Sequence, residues 1–259
     1  MKNNLYPIFT THYSIGKSIL TADSPEEILE TSPVSVFSIA KTHKLDTIYI
    51  LDDNFSGYVE LYKNACDNKI KLCFGLQLIV CHDINDKSEE SFKTESKVNL
   101  WVLNLQGYKD ILKIYTKAAT DGYYYIPRID WKSLNELLTN NIAVSVPFYD
   151  SFLYNNNFKG GNCIPIIPKN TKFHIEKHEL PFDNLLQQMV ENYIDINKFE
   201  AIESSQCYYY NKSDIDAYTV FRCATSNSFG KKQLITEPQI DHFGSNCFCF
   251  EHYLNLCQK

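Results

Sequence analysis

Short apolar runs alternate along this chain with stretches whose apolar positions recur at helical spacing. The apolar runs predict strands at Tyr6–Thr11, Asp46–Leu51, Leu72–Cys81, Asn99–Leu103, Ile142–Val146, Ile164–Ile167 and Phe199–Glu203. The amphipathic stretches predict helices at Val34–His43, Phe55–Asn68, Gln106–Thr120, Trp131–Leu138, Asp183–Tyr193 and Ser213–Cys223. A capping box at Ser24-Pro25-Glu26-Glu27 predicts one more helix start, and the charged segment His82–Lys97 predicts a loop. This alternation indicates an α/β fold with a largely parallel sheet or barrel.

Nothing in the sequence divides the chain into separate domains. A chain of 259 residues, 44% of them hydrophobic, is long enough to bury one large core. We find no internal repeat, no Gly/Ser-rich linker and no marked boundary in composition. Residues 1–259 are therefore predicted to form a single domain.

Charge and cysteine content narrow the class of protein. The formal net charge is −6 and the pI is about 5.7, so no global positive field would hold a phosphate backbone. Direct nucleic-acid binding is therefore expected to be weak or absent. The chain has no signal-peptide pattern and no long apolar span, and its nine cysteines then favour reduced thiols. We expect a cytoplasmic protein with no membrane association.

Two motifs resemble one known family. Asp121-Gly122-Tyr123-Tyr124-Tyr125-Ile126-Pro127-Arg128-Ile129-Asp130 is similar to a family stretch Glu-Gly-Phe-Tyr-Tyr-x-Pro-Arg-Ile-Asp, and Ile39–Val80 is similar to its early strand–helix–strand segment. That family is the polymerase and histidinol phosphatase (PHP) domain of the bacterial DNA polymerase III α subunit. The resemblance implies a distorted (β/α)7-like PHP barrel. The polymerase palm, fingers and β-binding regions of the α subunit are absent from the sequence, which suggests a free-standing copy that does not polymerise DNA.

The resemblance also says where metal ligands would be expected. Active PHP domains gather His, Asp, Glu and Cys side chains at strand ends to hold a cluster of metal ions. With Tyr13-Ser14, Asn54 and Gly57 fixing the register, those positions carry Ile8, Thr10, Leu51, Asp52, Gln77, Asn99, Pro147, Ser205 and Cys207. Neutral oxygens do not compensate the charge of clustered cations. The resemblance therefore implies a degenerate, non-catalytic domain without a cofactor.

By the same resemblance, the domain is expected to act as a protein-interaction module in DNA replication. Its partners would be replication proteins such as a polymerase or a proofreading exonuclease subunit. A phage origin would fit a solitary copy of this kind.

Two other functions stay open at the level of sequence. A phosphoesterase or 3′–5′ exonuclease would need a reduced Mn²⁺ or Zn²⁺ site, for which His12, Asp52, Asp53 and Cys207 are the candidates. The simpler interpretation is a surface histidine and a helix-capping acidic pair. A small-ligand-binding barrel would instead use the neutral polar side chains Thr10, Gln77, Asn99 and Ser205.

Three further features have a packing and a functional interpretation. Cys247-x-Cys249-x-x-His252-x4-Cys257 offers zinc-type ligands, but the interleaved aromatic residues favour a closing strand and helix on the core. Tyr123–Tyr125 and Tyr208–Tyr210 could stack on bases, although packing is favoured. Arg128 could contact phosphate or form an ion pair with Asp130. No phosphate-binding loop, dinucleotide glycine motif or nucleophile elbow is present.

Overall fold

Strands and helices alternate as predicted in the structure, a computed structural model that describes residues 5–26, 33–225 and 244–258. The strands are β1 (Tyr6–Phe9), β2 (Thr47–Asp52), β3 (Lys71–Cys81), β4 (Ser96–Val102), β5 (Arg128–Asp130), β6 (Ile142–Val146), β7 (Lys172–Ile175) and β8 (Glu200–Cys207). The helices are α1 (Val36–His43), α2 (Tyr58–Asp67), α3 (Leu105–Thr120), α4 (Trp131–Leu137), α5 (Phe152–Phe158), α6 (Asp183–Asn197), α7 (Ile215–Thr225) and α8 (Phe250–Cys257). The helix predicted from Ser24 onward lies largely outside the described residues.

The strand pairing confirms the predicted fold class. Hydrogen bonds join the strands in the order β2-β1-β8-β7-β6-β4-β3-β5, and an additional pairing joins β2 to β3. Seven strands are thereby linked in the closed series of pairings of an α/β barrel, and β5 is added beside β3. Most of the pairings are parallel, as predicted, but β4 runs antiparallel to both β3 and β6.

The residues group into two compact units. The first unit consists of Met1–Phe74, Glu176–Pro181 and Ser204–Lys259, and the second consists of Gly75–Ile175 and Phe182–Glu203. In the first unit, β1 pairs with β2 and with the final residues of β8. In the second unit, β4 lies between β3 and β6, and β7 lies between β6 and the first residues of β8. That the whole chain forms a single domain stays a prediction.

Helix α3 shows how the local sequence produces these elements. The Asn104 side chain caps the helix by accepting a hydrogen bond from the backbone N–H of Gly107. The buried residues Gly107, Ile111, Ile114 and Ala118 recur at helical spacing and form the face that packs inward. No helix within the described ranges is long and apolar enough to span a membrane.

The strand predicted at Ile164–Ile167 is wrong. Ile164 and Ile166 are 74% and 59% exposed, and the strand of this region is instead β7, a few residues later. In β7 the polar residues Lys172 and His174 alternate with the apolar residues Phe173 and Ile175. A search for apolar runs therefore misses this strand, although His174 is buried. The short strand β5 and helix α5 were also not predicted.

Candidate functional site

Six of the nine predicted ligand positions lie in the first unit, at the carboxyl ends of three strands. Because β2, β1 and β8 are parallel neighbours, their carboxyl ends meet at one edge of the sheet. All six side chains are buried: Ile8, Thr10, Leu51, Asp52, Ser205 and Cys207. The structure thus brings the predicted positions together, and their chemistry decides what the edge can do.

Asp52 is the carboxylate among these six side chains, and neutral donors surround it. Its Oδ1 accepts hydrogen bonds from the Thr11 backbone N–H (2.8 Å) and from Ser14 Oγ (2.7 Å). Its Oδ2 accepts one from Thr11 Oγ1 (2.7 Å). Burial raises the pKa of Asp52 from 3.8 to about 6, although these hydrogen bonds lower it. Amide and hydroxyl groups therefore occupy three of the about four acceptor directions of the carboxylate that a cation would use.

The loop that supplies these donors is held by the residues that fixed the sequence register. Asn54 Nδ2 donates to the Tyr13 carbonyl at 2.8 Å, and the Tyr13 hydroxyl donates to Glu60. Gly57 admits the Tyr13 ring, since a Cβ at this position would lie 2.2 Å from the ring. The motif residues Asn54 and Gly57 thus position the Thr11–Ser14 loop against Asp52.

The other positions at this edge offer poor ligands. Thr10 Oγ1 donates to the Leu51 carbonyl at 2.9 Å, and Ile8 has no donor atom in its side chain. Burial raises the pKa of the Cys207 thiol well above its usual value, which keeps it protonated, and its Sγ lies 3.6 Å from the Ser205 carbonyl. The Ser205 hydroxyl is buried and makes no hydrogen bond with the described residues.

The reduced metal site considered for His12, Asp52 and Asp53 is not assembled. Asp53 instead forms an ion pair with Lys17 at 3.1 Å. The His12 ring packs on the Tyr13 ring, with 4.3 Å between their centroids. Across residues 5–26, 33–225 and 244–258, one set of three His, Cys, Asp or Glu side chains brings its ligand atoms within 4.8 Å of one another, and it contains none of these residues.

The second unit carries the remaining three positions on a row of neutral side chains. Gln77 and Asn99 are directly paired across β3 and β4, and Gln77 Nε2 donates to Asn99 Oδ1 at 3.3 Å. Asn99 is in turn paired with Ser145 on β6. The third position, Pro147, is buried and has no side-chain donor or acceptor. Amide groups thus stand where the family places a carboxylate and an imidazole.

A buried histidine on β7, which the sequence analysis did not single out, lies next to Ser145. His174 Nε2 lies 2.8 Å from Ser145 Oγ, which also accepts a hydrogen bond from Trp101 Nε1 at 2.8 Å. These hydrogen bonds connect side chains of β4, β6 and β7 to one another.

Taken position by position, the side chains do not fit a cluster of two or three divalent cations. One carboxylate with a raised pKa, one buried thiol, three apolar residues and four neutral polar residues cannot balance the charge of such a cluster. This mismatch rests on the donor chemistry of the residues present.

Arg128 is fully buried and is bound to several protein groups. It forms an ion pair with Glu95 at 3.2 Å, and it also donates to Ser91 Oγ and to the Asp86 carbonyl. The ion pair expected with Asp130 is therefore wrong in its partner, because the Asp130 side chain caps helix α4 instead. A phosphate contact is also disfavoured for a guanidinium that is already satisfied.

The two tyrosine clusters differ from each other. Packing is confirmed for Tyr208 and Tyr209, which are buried. In the other cluster, the Tyr125 ring packs on Tyr124 at 4.7 Å between centroids, but Tyr123 and Tyr125 are still 51% and 54% exposed. Together with their exposed neighbours they form a surface that we call the aromatic patch, consisting of Phe92, Tyr123, Tyr125 and Ile126.

The predicted tail packing is observed in part. Cys249 and Tyr209 form an isolated β-bridge between their backbones. Helix α8 begins at Phe250, which is fully buried. Of the four zinc-type ligands in the tail pattern, Cys247 and His252 approach each other, whereas Cys249 and Cys257 do not join them.

Comparison with known proteins agrees with these motifs. The sequence profile of the PHP domain matches residues 30–199, more than half of the chain. Curated relatives are DNA polymerase III α subunits. The protein from Chlamydia trachomatis serovar D is 32% identical over 94 residues, which is 36% of this chain and 8% of that protein. The protein from Helicobacter pylori strain 26695 is 29% identical over 104 residues, covering 40% of this chain and 8% of that protein.

A longer and more distant match extends the comparison. The α subunit of Borreliella burgdorferi is 23% identical over 199 residues, 73% of this chain and 17% of that protein. The chain therefore spans less than a fifth of the length of these relatives. The profile match, the relatives and the α/β barrel topology agree: this chain belongs to the PHP domain family.

Proposed function

We propose that this chain is a non-catalytic PHP domain that acts as a protein-interaction module in DNA replication. The observation that carries the proposal is that Thr11 and Ser14 donate hydrogen bonds to the Asp52 carboxylate. In a metal-dependent enzyme, cations would bind this carboxylate instead. The neutral and apolar side chains at the other family ligand positions support the same conclusion.

The replication context comes from the relatives. They are DNA polymerase III α subunits, and the match covers a small part of each. A polymerase subunit or a proofreading exonuclease subunit is therefore the proposed partner class. The net charge of −6 favours a protein partner over a nucleic-acid backbone.

The aromatic patch is the surface on which we expect such a partner to bind. Tyrosine and phenylalanine are enriched at protein interfaces because they bury large areas at low entropic cost. The Phe92 and Tyr124 rings are stacked at 5.2 Å, and Arg128 lies 5.0 Å from the Tyr124 ring centroid. The packing of Phe92, Tyr124 and Arg128 thus supports the exposed residues of the patch.

Two measurements on the purified chain test the proposal. Hydrolysis of phosphodiester and phosphomonoester substrates is measured with Mn²⁺ or Zn²⁺, and wild type should not exceed Asp52→Ala. Binding to the purified α and proofreading subunits of a bacterial DNA polymerase III is measured by calorimetry. A variant carrying Tyr123→Ser and Tyr125→Ser should bind about tenfold more weakly or worse.

A matched control distinguishes the patch from exposed tyrosines in general. Tyr62 is 56% exposed and lies outside the patch, so Tyr62→Ser should leave binding unchanged. Metal-dependent turnover that Asp52→Ala abolishes would refute the non-catalytic assignment. Failure of the chain to bind either subunit would refute the interaction role.

A further inference from the structure

A second group of potential metal ligands lies outside the family's ligand positions. One ligand atom each from Glu179, Cys247 and His252 lies within 4.8 Å of the others. Cys247 and His252 are buried, and Glu179 is exposed. The three residues come from two stretches of the first unit, the segment 176–181 and the segment 244–258.

Hydrogen bonds fix these two stretches to each other. His178 Nδ1 donates to the Cys247 carbonyl at 3.0 Å, and the Ser245 hydroxyl donates to the His178 carbonyl. The His178 ring also stacks on Phe248, with 3.9 Å between centroids and 8° between planes. The backbone on both sides of the group is therefore held before any ligand binds, as a metal site requires.

Of the two buried donors, the histidine is already in the form that binds a metal, whereas the thiol must first lose its proton. His252 Nε2 lies 2.8 Å from the Lys177 carbonyl, which fixes it as the protonated nitrogen and leaves the lone pair on Nδ1. A backbone carbonyl in this role is the usual second partner of a metal-binding histidine. Burial and the Glu179 carboxylate raise the pKa of the Cys247 thiol, so a bound cation would have to displace its proton.

We propose that Glu179, Cys247 and His252 bind a divalent transition-metal ion, preferentially Zn²⁺, with the fourth position taken by water. Thiolate and imidazole ligands select Zn²⁺ over Mg²⁺, Ca²⁺ and Mn²⁺, which prefer oxygen ligands. None of these three residues is a family ligand position, so the proposal does not depend on the proposed function. Its expected selectivity also differs from that of an oxygen-rich site.

The spacing of the three ligand atoms lets them reach one ion with at most a small adjustment. Tetrahedral Zn²⁺ with bonds of about 2.0–2.3 Å places its ligand atoms about 3.5 Å apart. Glu179 is the exposed member of the group, so its side chain can adjust more easily than those of the buried Cys247 and His252. Bound Zn²⁺ would then cross-link the segment 176–181 to the tail.

The test uses metal-stripped, reduced full-length chain titrated with Zn²⁺ in competition with a chromophoric chelator, and separately with Co²⁺. We expect one Zn²⁺ per chain, no competition from excess Mg²⁺, and a Co²⁺ spectrum with a thiolate charge-transfer band. Cys247→Ser should remove that band. Loss of a direct ligand should weaken Zn²⁺ binding more than the roughly 10- to 100-fold that loss of a supporting residue costs.

Two further variants keep the result interpretable. Glu179→Gln changes an exposed side chain and keeps a neutral oxygen at the site, so the chain should fold normally and should bind Zn²⁺ at least about tenfold more weakly than wild type. Cys249→Ser removes a buried thiol outside the group and should leave the affinity unchanged. Absence of saturable Zn²⁺ binding, or equal loss in Cys249→Ser and Cys247→Ser, would overturn the proposal.

Discussion

Replacing Asp52 by asparagine should remove a pH-dependent cost of folding without breaking the surrounding hydrogen bonds. Asparagine has the same shape, and its Oδ1 can accept from the Thr11 N–H and Ser14 Oγ as Asp52 Oδ1 does. Its Nδ2 then faces Thr11 Oγ1, a hydroxyl that can rotate to accept. The substitution therefore removes the buried charge and keeps the contacts.

The magnitude follows from the raised pKa. The pKa of Asp52 is about 6 in the folded chain against 3.8 ordinarily, so the folded state binds more protons between these values. Stability should consequently fall as the pH rises through this window and stay lower above it. At about 1.4 kcal/mol per pKa unit, the full effect is on the order of 3 kcal/mol. About 2 kcal/mol of it should be visible between about pH 4 and pH 7.5.

Urea unfolding at several pH values measures this effect as the difference between variant and wild type. Asp52→Asn should gain about 2 kcal/mol relative to wild type as the pH rises from about 4 to 7.5. Asp53→Asn is the matched control, because the Asp53 side chain is 34% exposed and paired with Lys17. Its difference from wild type should change much less over the same range.

An unchanged difference for Asp52→Asn across this pH range would refute the reasoning. It would mean that the carboxylate is stabilised as strongly in the folded chain as in water. A difference of the opposite sign would mean that a positive group compensates Asp52.

Two further predictions concern buried pairs of ionisable side chains. Glu176 accepts one hydrogen bond from Ser204 and lies 2.9 Å from His178 Nε2, and both the Glu176 and His178 side chains are inaccessible. Glu176→Ala should therefore cost about 1–3 kcal/mol in urea unfolding, and Glu176→Gln clearly less, because the glutamine amide can still form a hydrogen bond with the ring nitrogen. Equal costs would contradict this account of the pair. Arg128→Met leaves Glu95 without its ion-pair partner, so we expect about 3–5 kcal/mol of destabilisation, largely relieved by adding Glu95→Gln. Additive losses in the double variant would refute that coupling.

Much of the fold could be predicted because most of its elements carry clear apolar patterns. Strand β6 and the helices α3 and α4 lie within one residue of their predicted ends. Strand β7 was missed because the search followed apolar runs, whereas β7 alternates polar and apolar residues and its His174 is buried through a hydrogen bond with Ser145. Burial by a long-range partner leaves no local signal.

The sequence could predict which residues lie at the candidate site. It could not predict which groups those residues contact. The register placed Asp52 at a strand end, but nothing local showed that Thr11 and Ser14 would donate to it. The partner of Arg128 was likewise wrong, because Glu95 is distant in sequence whereas Asp130 is close. The pair of Glu176 and His178 lies in a segment without periodicity, which no sequence pattern marked.

The pairing of the first and last strands limits how far this domain can be truncated. The family profile covers residues 30–199, whereas β1 and β8 lie outside that range and pair with each other. A fragment trimmed to the matched range would leave β2 and β7 each with one of its two neighbouring strands missing. Unpaired strand edges are templates for intermolecular association, so such a fragment is expected to aggregate even though it contains the recognisable family sequence.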